Sequence, residues 1–109
     1  MEVSRVTNRY IFYTDGTRAN ANSQSLTELL QQAENDVKFY DRMASEVTTR
    51  YNEYKAAFET PPTTPTENEA RAGILEGVAE IIKEANTKSY KALHIVTQCR
   101  QALNINGKR

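Results

Sequence analysis

Tryptophan is absent from this chain of 109 residues, and cysteine and histidine occur once each. Each scarcity removes a class of explanation. A single cysteine, Cys99, cannot close an internal disulfide, so the fold must rest on packing and the expected compartment is reducing. The single histidine, His94, lacks a second ligand at the four-residue step that would put two donors on one helical face, so no metal site is expected. No apolar run approaches the roughly 20 residues that span a bilayer. The start, Met1-Glu2-Val3-Ser4-Arg5, lacks the basic and apolar regions of a secretory signal. The expectation is no membrane and a cytoplasmic location, with export that cleaves no signal left open. Fourteen Lys+Arg against fourteen Asp+Glu leave no net charge, which excludes a global basic field for nucleic acid. Any such binding would have to be local.

What the chain does have is helical periodicity. Leu26, Leu30, Ala33, Val37, Tyr40, Ala44, Val47, Tyr51, Tyr54 and Phe58 follow one another at steps of four and three, which is a heptad seam. Ser25-Leu26-Thr27-Glu28 reads as its capping box. Pro61 and Pro62 cannot donate the backbone bonds that would continue the helix. A second seam then runs through Leu75, Val78, Ile82, Ala85, Ser89, Ala92, Val96, Cys99 and Leu103. Thr64-Pro65-Thr66-Glu67 offers a cap, a proline at the first helical position and a capping Glu, with Thr66 to Glu69 as a second possible box. Gly73 and Gly77 weaken the first turns of this helix, either by fraying or in exchange for close packing. Gly107 marks its end.

The predicted fold is all-α: a long antiparallel two-helix hairpin, coiled-coil-like, behind an N-terminal segment that is extended or a short strand. The boundaries are 1–24 for that segment, partly disordered, and 25–109 for the hairpin, with a helix over about 26–59, a loop over 60–64 and a helix over about 65–105.

The two flanks of such a hairpin are unequal. In an antiparallel pair, the positions just before the seam line one side and those just after it line the other. The first side carries Leu29, Asp36, Met43, Arg50 and Ala57 with Ile74, Ile81, Lys88, Ile95 and Ala102; apart from an Asp36–Lys88 pair and Arg50 it is apolar. The second side is ordinary solvated surface, with Thr27, Glu34, Asp41, Thr48 and Lys55 from the first helix and Ala79, Asn86, Leu93 and Arg100 from the second. Three isoleucines beside a full seam exceed what two helices bury, so the strip predicts a contact. A second copy completing a helical bundle is the first expectation, and a different protein or the chain's own head are the others.

In the head, Val6 to Thr14 is rich in β-branched and aromatic residues and is followed by the turn signal Asp15-Gly16, which reads as a strand. Val3, Val6, Tyr10 and Tyr13 also fit a short helix. Residues Thr17 to Gln24 are small and polar, which suits a linker. Tyr10, Ile11, Phe12 and Tyr13 are a candidate surface for adding to a partner's sheet or docking in a groove, against a fold-back onto the hairpin near Val96 to Leu103.

For chemistry, the carboxylates are scattered along helices without a Glu-x-x-His motif. There is no phosphate-cradling glycine loop and no nucleophile elbow. Cys99 falls on the seam, where a buried thiol is inert. No catalytic residue, cofactor or metal is predicted. The expected function is a non-enzymatic protein–protein interaction module (adaptor, chaperone-like partner, assembly subunit or small inhibitor), acting through Leu29, Met43, Ile74, Ile81 and Ile95 and through Tyr10 to Tyr13. A homodimer or a protein partner is implied. The alternative is local nucleic-acid binding through Arg5, Arg9 and Arg18, which are interleaved with the head's aromatics. In size and hairpin shape the chain resembles small helical subunits and chaperones of bacterial secretion systems, without the Trp-x-Gly turn of one such family. Shape of that kind specifies no function.

Overall fold

A computed structural model of the chain describes residues 2–107. The order of elements is β1 (Val3–Val6), β2 (Tyr10–Tyr13), β3 (Arg18–Asn20), α1 (Ser23–Ala57) and α2 (Pro65–Gly107). The protein is thus mostly helical, with a small three-stranded antiparallel sheet at its N-terminus. Its residues fall into two compact units. One joins the chain up to Lys38 to the chain from Ser89 onward, and the other is Phe39–Lys88.

In the first unit the strand reading of the head holds. Strand order is β1-β2-β3, with Val6 opposite Ile11, Ile11 opposite Ala19 and Phe12 opposite Arg18. The turn after β2 closes as Asp15-Gly16 suggests. Gly16 adopts a φ of 88°, a region where a Cβ would be strained, and its N–H donates to the Tyr13 carbonyl at 3.1 Å. The Asp15 carboxylate accepts from the Thr17 N–H at 3.0 Å and the Thr17 hydroxyl at 2.5 Å, which holds its pKa below the ordinary value. The linker expected over Thr17 to Gln24 is replaced by β3 and by the start of α1. Ala and Asn are poor strand formers, so β3 exists through pairing rather than propensity. Its frame is a Tyr13 N–H bond to the Thr17 carbonyl at 2.9 Å and an Ala21 N–H bond to the Arg9 carbonyl at 2.8 Å.

The capping box at the start of α1 is shifted by one turn from the expected Ser25–Glu28. Asn22 is the cap: its side-chain oxygen accepts from the Ser25 N–H at 2.8 Å, and the Ser25 hydroxyl accepts from the Asn22 N–H at 2.9 Å. Asn caps as well as Ser, and here its placement lets Ser25 make the reciprocal bond. The core of this unit is where the sheet lies against the helices. Val6 and Ile11 pack with Leu26 and Ala33 of α1 and with Ile95, Val96, Cys99 and Ala102 of α2, and Val3, Tyr13, Ala21 and Leu29 close its edges. Burial of Leu26 alone contributes about 2 kcal/mol. The start of α1 and the end of α2 thus share one core.

In the second unit α1 ends at Ala57, two residues before the expected end near 59, and α2 starts at Pro65 as expected. The Thr64 hydroxyl accepts from the Glu67 N–H at 3.1 Å, so the Thr64–Glu67 box is used. Glu67 reaches back to the Thr63 N–H at 2.9 Å and the Thr63 hydroxyl at 2.6 Å, and accepts from Arg71 at 2.8 Å. Arg71 also donates to the Phe58 and Thr60 carbonyls and lies 5.1 Å from the Phe58 ring. One guanidinium thus satisfies carbonyls that the end of α1 leaves open. Gly73 and Gly77 lie within continuous α2, and a Cβ built on either would meet nothing within 4 Å, so they serve no close packing.

Both seams read from the sequence are inward-facing. Every seam position is buried or half-buried except Tyr54, which stacks on Phe58 beside the joint.

Candidate functional site

Cys99 and His94, the one cysteine and the one histidine of the chain, are both tied into the fold. Cys99 is fully buried, and desolvation pushes its thiol up to about 11, so it is neutral at physiological pH. The His94 ring accepts at Nε2 from the Gln98 amide nitrogen at 3.0 Å, and the Gln98 amide oxygen accepts from the Val6 N–H at 2.7 Å. That second bond fixes the orientation of the amide, so His94 and Gln98 together form an anchor for β1. Among the described residues, no group of three or more His, Cys, Asp or Glu side chains is arranged to hold a metal ion. No helix among them is long and apolar enough to cross a membrane.

The apolar strip has two different fates. In the unit that contains the sheet, Leu29 is half-buried against the core, Ala102 is buried and Ile95 is only 9% exposed. The head supplies this cover, which is the fold-back reading of the N-terminal segment. In the Phe39–Lys88 unit the same strip is open: Met43 is 37% exposed, Ile74 45% and Ile81 44%. Phe39, one turn before Met43, is 61% exposed and meets Tyr40 edge-on at 5.1 Å. Four large apolar side chains of this unit are thus exposed, three of them at the flank positions that also include Arg50 and Lys88. Lys88, expected opposite Asp36, pairs with Glu84 of its own helix at 3.2 Å, and its ammonium lies 5.6 Å from the Tyr40 ring.

The four head residues read as one candidate surface are divided by the pleat. Ile11 and Tyr13 point to the core, whereas Tyr10 and Phe12 are on the opposite face. There the Arg5 guanidinium sits 4.4 Å from the Phe12 centroid and that of Arg18 4.2 Å from the Tyr10 centroid, with the two rings edge-to-face at 6.0 Å. The sheet therefore gathers two of the three head arginines and two aromatics that sequence spacing kept apart.

Three residues outside the seams have structural roles: Gln98 and Asn106, whose side chains bind β1 and the carbonyl of Asn8 (3.0 Å), and Arg71 at the joint. Arg71 was legible in principle, since it stands four residues after Glu67 on a helix. Gln98 and Asn106 were not, because their partners lie more than 90 residues away in sequence.

In comparisons with known proteins, no family model matches the chain, and no curated protein or solved structure matches it.

Proposed function

We propose that this protein is a non-enzymatic protein–protein interaction module that works through the open strip formed by Met43, Ile74 and Ile81, with Phe39 at its margin. One observation carries the reading: a strip of one chemical character is sheltered by the sheet in one unit and bare in the other. Exposing isoleucines costs solubility, and such patches mark contacts in soluble proteins. The partner is a second copy, which would complete a helical bundle, or an amphipathic helix of another protein, which suits a groove between helices. Adaptor, chaperone-like, assembly-subunit and inhibitor roles all draw on this one property.

The test is Ile74→Lys with Ile81→Lys. Ile95 is unsuitable, since its burial under the sheet would make a charge there unfold the unit. Sedimentation across a range of concentrations, and affinity capture from the source organism, should both respond to the double substitution while the helical circular dichroism stays unchanged. If the mass distribution and the set of captured proteins are the same for both forms, the reading is wrong.

A further inference from the structure

We infer that the outward face of the N-terminal sheet is a binding surface for single-stranded nucleic acid, separate from the apolar strip. The face is built by register. Arg5, Phe12 and Arg18 lie in one row across the three strands, and Tyr10 and Asn20 form the next. Strands about 4.8 Å apart put the two arginines on either side of Phe12 with roughly 10 Å between their backbones. Each guanidinium lies over a ring, 4.4 Å from the Phe12 centroid for Arg5 and 4.2 Å from the Tyr10 centroid for Arg18. The result is a patch of π-surfaces interleaved with fixed positive charge.

Two features select the occupant. The first is charge: among the described residues, no carboxylate pairs with Arg5, Arg9 or Arg18, whereas Arg71 and Arg100 both have acidic partners. These head arginines stand in a chain of zero net charge, so the positive potential they raise is local. The second is shape. A nucleic-acid strand alternates planar bases with phosphates, and bases stack on aromatic rings and on guanidinium planes alike. An acidic peptide would use the charges and leave the rings idle. A duplex keeps its bases stacked on one another and offers only their edges in the grooves, which leaves nothing for the rings to stack on. The opposite face is engaged where Val6 and Ile11 enter the core. The β1 edge is also closed at Val6 by Gln98, so the outward face is the side of this sheet left for a ligand.

With two phosphate contacts, the log–log salt slope for a single strand is about −1.4, so a tenfold rise in salt should weaken binding about 25-fold. Fluorescence anisotropy of a labelled oligouridylate and oligothymidylate, titrated with the full chain at low and high salt, reads this directly. Arg5→Ala with Arg18→Ala should abolish the salt dependence, and Phe12→Leu should weaken binding severalfold with the slope intact. Amide shift mapping on the wild-type chain needs no variant to fold: perturbations should centre on Arg5, Tyr10, Phe12 and Arg18. Flat anisotropy at low salt overturns the inference. So does a poly-aspartate peptide or a duplex that binds as tightly as the single strands, or a shift map centred on the helices.

Discussion

Replacing Gln98 by Ala tests how the head is held. The Gln98 amide oxygen is 2.7 Å from the Val6 N–H, and Val6 is buried, at 5% exposure, in the core that joins sheet to helices. Truncation removes the acceptor and leaves the Val6 donor without a protein partner. An orphaned buried donor costs about 1–3 kcal/mol, and because this bond is only part-buried the lower half of that range applies, about 1–2 kcal/mol. For a chain of this length, that corresponds to a Tm lowered by roughly 5–10 °C. The same substitution frees His94 Nε2, which is exposed and finds water at little cost. Hydrogen exchange localises the effect: the Val6 amide should exchange faster, followed by its neighbours in β1, while amides in the Phe39–Lys88 unit keep their protection. Gln98→Glu is the control, since a carboxylate still accepts from the Val6 N–H and should restore most of the loss. If Gln98→Ala melts with the wild type and Val6 exchange is unchanged, the head is held by packing alone and the anchor has no energetic role.

Two further outcomes are expected. The Glu67 carboxyl is held below its ordinary pKa, chiefly by the Thr63 hydroxyl and N–H, so its contribution is present above the unfolded carboxylate pKa and is lost as pH falls through the folded value. Glu67→Gln should flatten that part of the acid unfolding profile, and Arg71→Ala should reduce it, as followed by circular dichroism from neutral to acid pH. Cys99 behaves in the opposite sense: its pKa is raised from 9.0 to about 11, so its stabilising contribution is intact below pH 9.0 and is lost as pH rises towards about 11, by about 3 kcal/mol at most. Urea titrations at alkaline pH should show this slope in the wild type and not in Cys99→Ala. A thiol reagent should react with native protein only as fast as the unit opens, and a rapid reaction would refute the burial argument.

The helices were legible because their cause is local and repetitive. Steps of three and four put Leu26 to Phe58 and Leu75 to Leu103 each on one face, and Pro61-Pro62 breaks the chain between them whatever surrounds it. The Thr64–Glu67 cap and the Asp15-Gly16 turn are equally short-range: the Thr64 hydroxyl takes the Glu67 N–H as expected, although the Glu67 carboxylate reaches one residue further, to Thr63. The cap of α1 moved to Asn22 because two adjacent capping sequences compete and the choice depends on where β3 ends.

Tertiary structure alone decided what the apolar strip means. Leu29, Ile95 and Ala102 are indistinguishable in sequence from Met43, Ile74 and Ile81, yet the first three lie beneath the sheet and the second three are open. Burial depends on what folds over a residue, here a segment distant in sequence, and periodicity carries no record of that. The same holds for the outward face of the sheet. The head's aromatics were visible as a cluster, but strand register sent Ile11 and Tyr13 inward and brought Arg5 and Arg18 beside Phe12 and Tyr10. The sequence by itself determined the helices and the break between them, because hydrogen bonding and periodicity act within a few residues. Which surfaces remain free was settled only when the sheet closed over one part of the strip.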